Sequence, residues 1–481
     1  MNIWPFGGKK EKKALPLYFY NTLTKSKDEF ILPHWARQVR MYNCGPTVYG
    51  RQHIGNLSMF VFTDILRRVL EYNDLAVKQV INFTDVGHLV SDADEGEDKM
   101  TKGLKNEGLE LNVDNMKTLG KKYAELFKDD VRALNINTDK ILFPYASEHI
   151  ADDIAMIQAL EEKGYAYKTK KGVYFDTSRF PQYGKLGNIE LTGLKEGARV
   201  AADPEKRNST DFNVWKLNKK MGWDSPWGKG FPGWHIECSA MIHHHLGETI
   251  DIHTGGIEHI PTHHNNEIAQ TEAATGRELA RFWIHRAHLQ LDGGKMAKSE
   301  GNVVYLSHII ERGFNPLSFR YLLLGAHYRT SASFTWEALE AAETALTRLH
   351  QAAQGVEEGG AIDLSYRKEF YERINDDLDT PGALAVVWEM LKDDSLSPAD
   401  KRATLLDFDR VLGLRIEEGA LAVDRNVSIE ELPREVQEKI RARDEARKEK
   451  NWDLSDSIRQ ELESAGYVLE DAAEGTRVSR K

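Results

Sequence analysis

A chain of 481 residues implies two to four domains and is long enough to bury a sizeable core. Its 64 lysines and arginines against 75 aspartates and glutamates give a net charge of -11, which excludes a wholesale basic coat for nucleic acid but not a local basic stripe. Two cysteines exclude a disulfide scaffold and point to a reducing compartment, and no stretch reaches the roughly 18 apolar residues of a membrane span.

The chain opens on "MNIWPFGGKKEKKALPLYF", lysine-rich and without a long apolar run. Residues 1–16 read as a disordered basic leader, not a secretory signal. "RQVRMYNCGPTVYG" (37–50) reads as a strand that breaks at Gly45-Pro46. "IGNLSMFVFTDILRRVLEY" (54–72) has helical apolar spacing through Phe60, Ile65, Leu66 and Val69, and "AVKQVINF" (76–83) is a second strand. Strand, loop, helix and strand make a βαβ unit, so a parallel α/β sheet is expected. From about 85 to 227, helix-like segments such as 147–167 alternate with turn-rich stretches, which reads as an insertion between halves of the sheet. "ETIDIHTGG" (248–256) returns to a strand, and "IHRAHLQLDGGKMAKSEGN" (284–302) is a strand running into a polar loop. From Ser318 helices dominate. The last fifty residues hold two short helices and a tail, with Leu454, Ile458 and Leu462 on one apolar face.

The two cysteines raise the question of a metal. Cys44 ends the first strand, where an open parallel sheet binds its ligands. Cys238 lies in "PGWHIECSAM". His263 and Glu267 are four apart and share a helix face. Two thiolates, an imidazole and a carboxylate make a plausible zinc set, although each piece alone also reads as core or solvated surface. His264 is expected to face another way. His243, His244 and His245 are consecutive, about 100° apart on a helix, and are expected to be structural or surface residues.

No P-loop and no strand-associated G-x-G-x-x-G is present. Instead "GRQHIGN" (50–56) joins the first strand to a helix whose N-terminus favours phosphate, with His53 as ring donor and Gly55 allowing close approach. "GGKMAKSEGN" (293–302) carries Lys295 and Lys298, two cations able to close over a polyphosphate.

Together "CGPTVYGRQHIGN", "STDFNVWK", "SPWGKGFPGWHIECSAM", "DIHTGGIEHIPTHHNNEIAQTEA", "KMAKS", "HYRTSASF", "FDRVLGL" and the C-terminal "ARDEARKEKNWDLSDSIRQEL" resemble, in order, the cysteinyl-tRNA synthetase family of class I aminoacyl-tRNA synthetases. The resemblance spans about Leu17 to Arg477. It implies an α/β fold with a Rossmann-like parallel sheet at 17–316, interrupted by a connective-peptide insertion near 85–227 and carrying a KMSKS-type loop at 293–302. An all-α bundle at 317–430 and a small anticodon-binding module at 431–481 would follow.

The resemblance also implies one zinc on Cys44, Cys238, His263 and Glu267 that binds the thiolate of substrate L-cysteine. ATP with Mg²⁺ would be bound by His53, Gly55, Gly255, Gly256 and Lys298. Catalysis would fall to His53, Asn56, Lys295 and Lys298. Trp234 would pack on the bound cysteine and Thr84 would lie near its amino group. The implied partner is tRNA(Cys), the state a monomer, the location the cytoplasm. Thr254, Glu258, Ala297, Val478 and the stretch after Asp85 depart from the usual family pattern and suggest a divergent bacterial branch. Two other functions fit the same motifs: a cysteine ligase that charges an amino sugar, and an RNA-binding paralogue without catalysis. The charged C-terminal segment favours tRNA over the sugar.

Overall fold

Buried β-branched and aromatic residues set the central sheet. In the computed structural model, described for residues 15–86, 99–187, 205–291, 294–295, 303–356, 359–425, 429, 432–472 and 475–480, five strands pair in parallel. Their spatial order is Ala280–Arg286, Ile250–Gly256, Val39–Asn43, Val77–Ile81 and Ile141–Leu142. In order along the chain this is 5-4-1-2-3, the doubly wound arrangement, and its switch point lies between Val39–Asn43 and Ile250–Gly256. Every residue of Ile250–Gly256 is buried, as expected for a strand covered on both faces.

Helix Ile54–Tyr72 has the predicted bounds. Val61, Leu66 and Val69 are fully buried, each contributing about 1.5–3 kcal/mol against exposure. Its Asp64 is fully buried beside Arg67 at 2.5 Å, Arg68 at 2.6 Å and Arg320 at 2.8 Å. Arg320 also donates to the carbonyls of Leu134 and Leu412, so the helix is pinned to the helical region behind it.

Two expectations shift. The edge strand Ile141–Leu142 comes from inside the segment 85–227, so that segment is not wholly an insertion. What stands apart is an antiparallel sheet of Ala166–Lys168, Gly172–Phe175, Phe212–Leu217 and Gly230–Pro232. The helix expected at 147–167 runs only from Ile150 to Glu162, because Gly164 at φ 78° turns the chain into the first of those strands.

Helices Pro316–Leu324, Trp336–Ala353, Leu364–Asn375, Thr380–Lys392 and Pro398–Leu412 follow. Each opens on a side chain that accepts a backbone N–H, from Asn315, Thr335, Asp363, Asp379 and Ser397. The C-terminal part has its own core of Leu432, Ile440, Ile458, Leu462, Leu469 and Val478. Leu454, expected on that apolar face, is exposed. The expected tail is a hairpin, Tyr467–Ala472 with Gly475–Arg480, which supplies the surface that Ile458 and Leu462 need. Among the described residues no helix is long and apolar enough to cross a membrane. The leader through residue 14 lies outside the described residues.

Candidate functional site

The sheet opens at its switch point into a cleft of about 550 Å³. Strand Val39–Asn43 delivers Cys44 to it, and strand Ile250–Gly256 delivers Gly255 and Gly256. A Cβ on Gly255 would stand 2.5 Å from His264 Cε1, and one on Gly256 would overlap the Glu258 carboxylate. These glycines therefore make room for protein side chains as well as for a ligand.

His53 caps helix Ile54–Tyr72. Its Nδ1 accepts the Asn56 N–H at 3.2 Å, which puts the proton of the neutral ring on Nε2. The first turn contains no acidic side chain, so the positive end of the helix is left for an anion. Gly55 and Asn56 line the cleft beside His53, and the Asn56 amide donates to Gln52 Oε1 at 2.7 Å.

The four expected metal ligands converge. Cys44, Cys238, His263 and Glu267 are all buried, with one donor atom of each within 4.8 Å of the others, and the two thiols are free. Cys238 reaches the cluster from helix Trp234–Leu246, and Glu267 from helix Asn265–Thr275. The Cys238 thiol is drawn down to about 6, chiefly by a hydrogen bond from Cys44, with burial opposing and His263 assisting. Burial, the hydrogen bond to Cys238 and the charge of Glu267 push Cys44 up. Burial opposes a charge on His263, but Glu267 and Cys238 outweigh it and raise the ring to about 10. Burial likewise opposes ionised Glu267, and His253 and His263 hold it well below the usual carboxylate range. Neither buried Glu267 oxygen receives a well-aligned hydrogen bond. Two sulfurs, a nitrogen and an oxygen suit zinc, whose charge would take the place of the proton that His263 holds beside Glu267. His263 Nδ1 meets His235 Nδ1 at 2.8 Å, an outer partner of the kind that orients a ligating ring.

His264 departs from expectation. It faces the same cluster, 3.4 Å from Cys44 Sγ, and forms a second donor group with Cys44, His253 and Glu267. Residues Ile260–His264 form a π-turn, whose wider winding lets neighbouring histidines both face inward. Its other nitrogen meets His285 Nε2 at 2.8 Å, and burial together with the neighbouring histidines pulls its pKa well down. A helix wheel at 100° per residue could not reveal this. His253 was hidden for another reason: it lies on a strand, remote in sequence from the other three.

Trp234 lines the cleft, its ring centroid 4.5 Å from that of His263. Lys99 stands over the same indole, 5.4 Å from its centroid, and Arg286 also lines the cleft, its Nε donating to Ser58 Oγ at 3.2 Å. Burial lowers the Arg286 guanidinium to about 10. Neither cation carried a recognisable signal in the sequence. Thr84 is buried and does not line the cleft: it pairs with Thr47, which does, through a β-bridge. Lys295 has its backbone in strand Gly294–Lys295, paired with Gln290. Lys298 and most of the 293–302 loop lie outside the described residues. Of the histidine run, the three do not converge: His243 is exposed and apart, while His244 and His245 meet His149 from a neighbouring segment.

A family model described as "tRNA synthetases class I (C) catalytic domain" matches residues 30–344, and one described as "Cysteinyl-tRNA ligase anticodon binding domain" matches residues 430–478. Cysteine--tRNA ligase 1 of Burkholderia lata is 47% identical over 470 residues, covering 96% of this chain and 97% of the relative. Cysteine--tRNA ligase of Treponema denticola is 39% identical over 491 residues, covering 95% and 98%. The solved methionyl-tRNA synthetase of Mycobacterium tuberculosis bound by methionyl-adenylate aligns with a TM-score of 0.56 at 14% identity, covering 80% of this chain and 92% of that one. At that identity the likeness speaks for the fold alone.

Proposed function

The chain belongs to the cysteinyl-tRNA synthetase family of class I tRNA synthetases, and from that premise we propose that it joins L-cysteine to tRNA(Cys) at the expense of ATP. The cysteine carboxylate attacks the α-phosphorus, forming cysteinyl-adenylate and releasing pyrophosphate. The 3′-terminal adenosine hydroxyl then attacks the activated carbonyl and releases AMP. No bond to the enzyme forms, so the protein contributes positioning and charge stabilisation.

The observation that carries this reading is the convergence of the only two cysteines with His263 and Glu267 in a buried cluster that reaches the helix-capped cleft through Cys44. Those four residues would hold zinc. When bound, zinc supplies a soft Lewis acid that prefers a thiolate to a neutral hydroxyl, whereas a pocket based on size gives only about 1–3 kcal/mol between close analogues. Trp234 and Lys99 would close the cysteine side of the cleft. His53 Nε2–H and the acid-free helix N-terminus would receive the phosphates of Mg²⁺-ATP. Gly255 and Gly256 would border the ribose, and Lys295 and Lys298 would close over the pyrophosphate. The separate core of the C-terminal part and the family match at 430–478 support residues 431–481 as the anticodon-binding module, behind a catalytic region at 17–316 and a bundle at 317–430. We read the enzyme as a cytoplasmic monomer.

Charging of bacterial tRNA with labelled cysteine, with serine in parallel, tests the proposal. Cysteine-dependent, serine-excluding charging is expected. Cysteine-dependent pyrophosphate exchange without charging would instead favour the amino-sugar ligase. Neither activity would favour the non-catalytic paralogue.

A further inference from the structure

The far end of the helix that carries Cys238 holds a second cluster. His244 and His245 lie in the last turn of Trp234–Leu246, and His149 immediately precedes helix Ile150–Glu162. One ring nitrogen of each lies within 4.8 Å of one nitrogen of the other two. The Nε2 atoms of His149 and His245 face each other at 3.1 Å. Asp152 Oδ2 sits behind two of the rings: it accepts the Nδ1–H of His149 at 2.8 Å and lies 3.1 Å from His244 Nδ1. An ionised carboxylate can only accept, so it holds a proton on each Nδ1 and leaves each neutral ring with its lone pair on Nε2.

We propose that His149, His244 and His245 form a second zinc site, open to solvent, that fastens the start of helix Ile150–Glu162 to the end of helix Trp234–Leu246. Two nitrogens each about 2.0–2.1 Å from a tetrahedral ion stand about 3.3–3.4 Å apart, so the His149–His245 pair needs to open by only a few tenths of an ångström. The carboxylate behind the rings is the usual outer partner of a ligating histidine, fixing tautomer and orientation. An all-imidazole set with an open position suits the borderline divalent ions, zinc, nickel and copper. Lys78, a like charge to the ion, donates an ammonium N–H to the His245 carbonyl at 2.7 Å. His244 is half exposed, which gives the ion an entry path. Helix Trp234–Leu246 also carries Trp234, which lines the cleft, and Cys238, which joins the buried cluster.

The test is a count of bound metal. Untagged protein is stripped with chelator, titrated with zinc sulfate and assayed for zinc after gel filtration. The intact protein is expected to hold two equivalents. His149→Ala, His245→Ala and the more exposed His244→Ala should each hold one, with cysteine-dependent pyrophosphate exchange unchanged. Asp152→Asn should weaken the second equivalent by about 10–100-fold. In a Cys238→Ser background one equivalent should remain and should depend on the three histidines, which separates this site from the proposed catalytic one. A zinc anomalous peak between the three rings would support the assignment. A second equivalent that survives His149→Ala/His245→Ala, or no histidine-dependent equivalent in either background, would overturn it and leave the His149–His245 contact as a ring-to-ring hydrogen bond.

Discussion

Gly255→Ala probes the seam between the glycine strand and the histidines. The new methyl would lie 2.5 Å from His264 Cε1 and 2.8 Å from both His264 Nε2 and His259 Nδ1. Carbon contacts are most favourable at about 3.5–4.0 Å, so the His264 ring must retreat by roughly 1 Å. It has nowhere to go. His285 holds its Nδ1 at 2.8 Å, Cys44 Sγ lies 3.4 Å from its Nε2, and the Trp283 ring centroid is 5.1 Å away. Overpacking of this kind costs about 1–3 kcal/mol. The displaced ring also presses on Cys44, so zinc retention should fall by about 10–100-fold, the loss typical of an outer partner. Thermal unfolding, zinc content after a chelator challenge and cysteine-dependent pyrophosphate exchange would be measured together. A lower unfolding temperature with faster zinc loss is expected. Wild-type values for all three would refute the packing argument.

Cys238→Ser should lose zinc and cysteine-dependent exchange by more than the roughly 10–100-fold carried by outer partners, with ATP affinity measured by calorimetry largely retained. Full exchange in the metal-free variant would sink the zinc reading. His53→Ala should slow adenylate formation in single-turnover assays and also cost about 0.5–2 kcal/mol of stability, because the ring caps the helix; an unchanged rate would remove His53 from the chemistry. Asp64→Asn should destabilise by about 3–5 kcal/mol, since it strands Arg67 and Arg320 in the core. Although burial opposes its charge, Arg320, Arg68 and Arg67 depress the folded Asp64 pKa. The wild-type advantage should therefore be full above the unfolded value of about 3.9 and shrink as pH falls below it; a gap in unfolding temperature that persists unchanged well below that pH would contradict this. Removal of residues 431–481 should spare cysteine-dependent exchange but lower tRNA charging, and equal loss of both would argue against a separate module.

Local chemistry made much of this protein legible in its sequence. Helix Ile54–Tyr72 was readable because its apolar period persists for five turns and a histidine precedes it. The ligand pair His263 and Glu267 was readable because four residues make about one helical turn. With only two cysteines in 481 residues, a shared role for them could be framed before any fold was known. Other features depended on contacts between distant segments. The edge strand Ile141–Leu142 is two residues long and exists because Val77–Ile81 offers it an edge. Ile458 and Leu462 are buried by a hairpin that no periodicity announced. His264 turned inward because a π-turn replaced the regular winding, and His149 met His244 and His245 because two helices pack end to start. Sequence alone determined which side chains could ligate a metal or cap a helix, since those capacities belong to the residue and its near neighbours. Tertiary structure alone decided which histidines share a site, how the ionised groups hold their protons, and which cations reach the cleft, because burial and charge proximity are properties of the packed chain.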